Sequence, residues 1–168
     1  MRYLVHEQPM KFAAAEGVTT TTGEKAPWTV VGYVDPKTHD MKGNIDIPDV
    51  LSILSYHKTT GAVTGMKEVN KQLEKRYGTK IDNHKMDYYV PANTLFWSFR
   101  VMCGFAALLF LVSIVGLIMT RKGKESLYSH RWCLWVLAIL TFSPFIVNTA
   151  GWLITELGRA PWTVYGLF

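Results

Sequence analysis

The sequence has few of the features that mark a secreted or nucleic-acid-binding protein. Its formal net charge is +5, but the basic residues form no dense block, so nucleic-acid binding is not indicated. The amino terminus lacks the basic and then apolar pattern of a secretory signal, so insertion would depend on internal segments or on sequence outside this chain. The only two cysteines, Cys103 and Cys133, lie in apolar runs, where a thiol behaves as a small hydrophobe.

Charge is also missing from two long stretches of the chain. Leu95–Met119 contains one charged residue, Arg100, and Trp132–Ile154 contains none. About twenty apolar residues suffice for a helix to cross a bilayer, and a chain of 168 residues is too short to bury both runs in a soluble core. Pro144 is expected to kink the second helix. The sequence therefore predicts an all-α membrane protein, a two-helix transmembrane hairpin preceded by a mostly helical and irregular extramembrane domain.

The predicted organisation has five parts, namely an outer domain (1–93), a span (94–120), a loop (121–131), a second span (132–157) and a tail (158–168). The loop contains four lysines and arginines against one glutamate. Because short basic loops stay in the cytoplasm, we expect the outer domain and the tail on the periplasmic or extracellular side.

The outer domain shows a mixture of local patterns. Met1–Glu16 favours helix, whereas Gly17–Val34 is rich in threonine and glycine and is expected to be extended or irregular. Asp46 is a candidate helix start, and Met66–Tyr77 is expected to form a charged helix. Pro91 stands where the first spanning helix would begin.

Charged side chains inside a span are costly enough that each suggests a function. Arg100 lies near the start of the first span, and Glu156 and Arg159 lie at the end of the second. In an antiparallel hairpin these positions share one depth. Asn148, Trp152, Glu156 and Arg159 also follow at helical spacing, which predicts one stripe that faces protein.

Structural alternatives exist for each of these residues. Arg100 could extend to the lipid headgroups, and Met102 could be a lipid-facing apolar residue. Glu156 and Arg159 could form a purely structural ion pair. For Lys11 and Glu16, five residues apart near the amino terminus, the alternative is a solvated helix face.

Three motifs, QPMKFAAAEG (8–17), FWSFRVM (96–102) and WLITELGRAPW (152–162), resemble subunit I of the cytochrome bd quinol oxidases, in the order found in that family. The resemblance implies that the outer domain is the quinol-binding loop. It also implies that Lys11 and Glu16 bind the quinol headgroup and accept its proton. A cation can polarise a quinol oxygen, and a nearby carboxylate can take the proton.

The same resemblance implies a set of heme-binding residues. Met102 corresponds to an axial ligand of the low-spin heme b, with Arg100 facing a heme propionate or the quinol site. Glu156 corresponds to an iron ligand in the high-spin site, on heme b or heme d. Trp152 corresponds to an aromatic residue packed beside these hemes, and Arg159 to a residue that neutralises a propionate.

The chain departs from the family pattern in two respects. Ala160 stands where the commonest motif has glutamine. The histidine ligands of the family lie in an amino-terminal half that is expected outside this chain, so the partners would be that half, subunit II, lipid and quinol. The expected location is the bacterial cell membrane. The rival hypotheses are a non-catalytic two-span protein whose outer domain binds a partner, and an inert truncated remnant.

Overall fold

The structure, a computed structural model, describes residues 2–58, 61–78, 80–81, 84–85, 87–121 and 131–162. Most of the predicted connecting loop (122–130) and the end of the predicted tail (163–168) lie outside the described residues. The chain forms two compact units. The head unit consists of the described residues of Met1–Phe99 and Leu153–Phe168, and the membrane unit consists of those of Arg100–Trp152.

The head unit combines helices with two short β-hairpins. Its elements are α1 (Arg2–Glu7), α2 (Pro9–Glu16), β1 (Trp28–Val34), β2 (Met41–Ile47), α3 (Val50–Tyr56), α4 (Met66–Tyr77), β3 (Lys80–Ile81) and β4 (His84–Lys85). Helix α2 packs against α1 and α4. The largest fully buried side chains of this core include Phe12, Leu51, Met66, Tyr88 and Leu95.

The helix predictions for the outer domain are partly confirmed. The predicted α4 is present and ends at Gly78. The first helix is divided at Pro9, because a proline without an N–H group starts the new helix α2. The predicted helix start at Asp46 is wrong. Asp46 lies in β2, where its carboxylate accepts a hydrogen bond from Thr29 at 2.7 Å, and the helix begins four residues later at Val50.

Strand β1 lies in Gly17–Val34, which was expected to be extended or irregular, but its pairing with β2 in a hairpin was not predicted, so the all-α description needs this addition. Strands β1 and β2 pair antiparallel, with Val31 opposite Ile45 and Tyr33 opposite Lys42. The register shifts on both sides of Val31, and Gly43 has a left-handed φ of 62°. These irregularities interrupt the alternation of apolar and polar residues by which a strand is recognised in a sequence.

The predicted transmembrane hairpin is confirmed as two helices long and apolar enough to span a bilayer. Helix α5 (Ala92–Arg121) begins in the head unit and forms the first span. Helices α6 (Arg131–Leu140) and α7 (Ser143–Leu157) together form the second. Most side chains of these helices are exposed within the described chain, as expected of a surface covered by lipid or by other protein.

The second span is interrupted at Thr141 and Phe142, directly before Pro144, where a kink was predicted. Since Pro144 has no N–H group, the Leu140 carbonyl loses its helical partner. The Ser143 hydroxyl donates to that carbonyl instead, at 2.7 Å. The carbonyl group that the proline leaves without a helical partner is therefore hydrogen-bonded at the same interruption of the span, as is required inside a bilayer.

Candidate functional site

Helix α2 places two charged residues inside the head unit. Every residue from Met10 to Glu16 is buried, and Ala13, Ala14 and Ala15 allow close packing on all sides. The helix ends at Gly17, whose left-handed φ of 74° lets the following amide groups bond back to the last turn. The alternative that Lys11 and Glu16 lie on a solvated helix face therefore does not agree with the structure.

Lys11 extends from α2 to the end of the second span. Its side chain is 9% exposed, and its Cδ and Cε atoms pass so close to Gly158 that a β-carbon there would lie 2.8 Å from both. Burial lowers the pKa of the Lys11 ammonium, and the nearby cation of Arg159 lowers it further. The Glu156 carboxylate has the opposite effect. The structure thus brings together three predicted site residues from distant parts of the chain.

Glu156 and Arg159 form an ion pair across one turn at the end of α7. Each side chain is partly exposed, so the pair contributes little to stability. This contact is the one expected of a structural pair. It does not exclude a ligand role, because a carboxylate has two oxygens and about four acceptor positions.

Glu16 contacts a different part of the head unit from Lys11. It is 1% exposed, and its Oε2 accepts a hydrogen bond from the Trp28 indole N–H at 2.9 Å. Five residues of helix place two side chains about 140° apart around the axis, so Lys11 and Glu16 face different neighbours. Trp28 was not predicted as a site residue. The only indication in the sequence is that a buried indole N–H needs a hydrogen-bond acceptor.

The remaining predicted residues belong to the membrane unit. Met102 is partly buried, and its sulfur lies 3.9 Å from the position that a β-carbon on Gly151 would occupy. Met102 is therefore turned towards the second span and does not face lipid alone. Arg100 is also partly buried, whereas Trp152 is 61% exposed and Asn148 is exposed. Of the stripe that was expected to face protein, Glu156 and Arg159 thus lie near Lys11, whereas Trp152 and Asn148 are largely exposed within the described chain.

Comparison with known proteins identifies the family. The model of cytochrome bd terminal oxidase subunit I matches residues 1–168. The chain belongs to this family. It is 41% identical over 165 residues to cytochrome bd ubiquinol oxidase subunit 1 of Bacillus subtilis, a match that covers 98% of this chain and 34% of the relative. It is 31% identical over 169 residues to the putative cytochrome bd menaquinol oxidase subunit I of the same organism, covering 98% and 33%.

The fold of this chain also matches that of a solved structure. The bd oxidase of Geobacillus thermodenitrificans matches with a TM-score of 0.75 and 25% identity, over 99% of this chain and 34% of that chain. The chain thus spans about a third of the length of the relatives it matches. The predicted family and the predicted membrane fold are confirmed. Family membership also favours the oxidase over the non-catalytic membrane protein.

The donor chemistry of the chain fits heme binding. A thioether and a carboxylate are both known types of protein ligand to iron, and guanidinium groups pair with propionates. The exposed ring of Trp152 on the Glu156 helix offers a flat apolar surface for a macrocycle. Among the described residues, no group of three or more histidine, cysteine, aspartate or glutamate side chains could hold a metal ion.

Proposed function

We propose that this chain is part of subunit I of a bacterial cytochrome bd quinol oxidase, which oxidises quinol at the outer face of the cell membrane and reduces oxygen to water. The family match over residues 1–168 carries the proposal. It is supported by the position of Lys11, whose pKa is lowered mainly by burial and next by the nearby Arg159, while Glu156 has the opposite effect. Three residues of two separate family motifs are therefore neighbours in space.

In this proposal the head unit is the quinol-binding loop. Lys11 binds a quinol oxygen, and the packing of its methylenes on Gly158 fixes the direction of its side chain. Glu16 accepts a proton as the quinol is oxidised. Its carboxylate is oriented by the hydrogen bond that it accepts from the Trp28 indole.

The heme sites are assigned to residues of both spans. Bound heme would supply one-electron transfer and, at the high-spin site, oxygen binding. Met102 offers a thioether to the low-spin heme b, and Glu156 a carboxylate to a high-spin heme b or heme d. Trp152 packs against the macrocycle, and Arg159 and Arg100 neutralise propionates. Release of Glu156 from its ion pair with Arg159 would free both groups for these tasks.

The orientation and partners follow from the same reasoning. The basic loop 121–131 is cytoplasmic, so the head unit lies on the periplasmic or extracellular side. The exposed faces of the two spans are covered by the rest of subunit I, by subunit II and by lipid. The chain spans only about a third of its relatives, so it acts within a larger assembly.

The proposal is tested by reduced-minus-oxidised spectra of membranes that contain the assembled oxidase. Met102→Leu is expected to remove or shift the low-spin heme b band, and Glu156→Ala a high-spin band. Two matched controls are Met119→Leu, at the opposite end of the first span, and Glu24→Ala, on the exposed surface. Heme bands that are unchanged in both test variants, with normal amounts of protein in the membrane, would contradict the ligand assignments.

A further inference from the structure

The β1–β2 hairpin exposes a mostly apolar surface on the head unit. Its outer face consists of the two cross-strand pairs Val31–Ile45 and Tyr33–Lys42. Tyr33 is 52% exposed and Ile45 is 63% exposed. By contrast, the exposed side of α4 carries Lys71, Gln72, Lys75 and Arg76, as expected of a helix in contact with water.

Two contacts fix the position of the hairpin relative to the first span. Asn93 accepts a hydrogen bond from the Val34 amide at 2.8 Å and donates one to the Val34 carbonyl at 2.6 Å. The methyl group of Met41 and the ring of Phe96 both lie against Gly17, within 3 Å of the position of a β-carbon there. The Val34–Met41 end of the hairpin is therefore attached beside the first turns of α5.

These turns of α5 lie just before the span enters the bilayer. Leu95 and Phe96 are still buried in the head core, and the exposed large apolar side chains of α5 begin with Trp97, about 6 Å along the helix axis from Asn93. The headgroup layer on each side of a bilayer is about 5–8 Å thick. Since a strand rises about 3.3 Å per residue, Tyr33 and Val31 lie within about 4 Å and 10 Å of Val34, distances comparable with the thickness of this layer.

The residue types of the outer face suit this position. Tyrosine is enriched at membrane–water interfaces, and Trp97, on the same part of α5, is an exposed aromatic residue of the kind found there. Lys42 can lay its methylenes along acyl chains and keep its ammonium among headgroups. Its charge is balanced by Asp35, whose carboxylate lies 2.6 Å away, so the face carries no net charge.

We propose that the outer face of the β1–β2 hairpin, formed by Val31, Tyr33, Lys42 and Ile45, lies against membrane phospholipid at the headgroup and upper acyl-chain level. The head unit is then held to the bilayer by a second element besides its two spanning helices. The proposal does not depend on the quinol oxidase activity, because it uses only the depth of α5 and the chemistry of the hairpin.

The test is photo-crosslinking of the assembled protein in nanodiscs of phosphatidylethanolamine and phosphatidylglycerol. Position 45 is replaced by p-benzoylphenylalanine (Ile45→Bpa), with Val31→Bpa as a second position. Leu111→Bpa, exposed on the first span, is the positive control, and Lys71→Bpa on α4 is the negative control. Mass spectrometry then identifies what each position has captured.

Phospholipid adducts at positions 45 and 31, several-fold above the yield at position 71 and comparable with position 111, are the expected result. Adducts with another polypeptide at these two positions would overturn the proposal and identify the hairpin as a subunit interface or a contact between two copies of this chain. Absence of any adduct at both positions, with the control at position 111 working, would also overturn it and assign the face to water.

Discussion

The side chain of Lys11 crosses the backbone of Gly158 at a distance that leaves no room for a β-carbon. Such an atom would lie 2.8 Å from both Cδ and Cε of the lysine and 2.5 Å from the carbonyl oxygen of Ile154. Contacts this short force the neighbouring atoms to move. Gly158 is therefore a requirement for the position of Lys11, and the glycine of the WLITELGRAPW motif acquires a physical role.

Gly158→Ala is expected to destabilise the head unit by about 1–3 kcal/mol, because an added methyl group must displace packed atoms. It should also reduce quinol oxidation by displacing Lys11. Thermal unfolding and activity of the assembled oxidase measure the two effects. Gly104→Ala is the matched control, since a β-carbon at Gly104 meets nothing within 4 Å.

A double-mutant cycle separates the contact with Lys11 from the contact with Ile154. Lys11→Ala removes the methylene groups in question, so Gly158→Ala should cost less stability in the Lys11→Ala background than in the native chain. Additive effects of the two substitutions would mean that the lysine does not constrain position 158.

Lys11 should also make the stability of the protein depend on pH. Its folded-state pKa is lowered from the ordinary value of 10.5, mainly by burial and next by Arg159. The unfolded state therefore binds the proton more tightly, and stability should rise as the pH rises from the folded pKa towards 10.5. Below the folded-state pKa, the free-energy cost of burying the charged ammonium reduces the stability of the folded state in full.

Thermal unfolding of Lys11→Met across the alkaline range measures this dependence. The variant should lose the rise in stability, whereas Lys71→Met, at an exposed position of α4, should retain it. Equal slopes in Lys11→Met and the native chain would show that Lys11 is not the group responsible.

Trp162 connects the segment after the second span to the core of the head unit. Its ring lies 4.9 Å from that of Tyr77 and 5.3 Å from that of Tyr88, and it is 5% exposed. Trp162→Ala should cost about 3–5 kcal/mol, the range for truncating a large buried aromatic residue. Trp135→Ala, at a position 71% exposed in the membrane unit, should cost much less in the same unfolding experiment.

Local sequence signals predicted some parts of the structure well and others poorly. The spans were predictable because an apolar run of about twenty residues or more with at most one charge has few other solutions. The end of α4 at Gly78 was also predictable, since glycine favours a helix end. Extended backbone was one of the two expectations for the region of β1, but its pairing with β2 was not predictable, because the register shifts and Gly43 disturb the alternation of residues that identifies a strand.

The residues of the candidate site were proposed from the sequence, but their arrangement in space was not predictable from it. Lys11 and Glu16 were singled out only through the resemblance to a family, since their spacing alone carries no signal. The meeting of Lys11 with Gly158 joins opposite ends of the chain, and such a contact depends on tertiary packing. The hydrogen bond from Trp28 to Glu16 was equally invisible in the sequence.

The contribution of Trp162 to the head core has a consequence for biosynthesis. This residue follows the second span, whereas Tyr77 and Tyr88 precede the first. The ribosome must therefore release both hydrophobic helices, and the membrane must accept them, before the last aromatic ring can enter the core. Completion of the head unit is a late step that reports successful insertion of the hairpin, and protease resistance of the head should appear only after residue 162 has been synthesised.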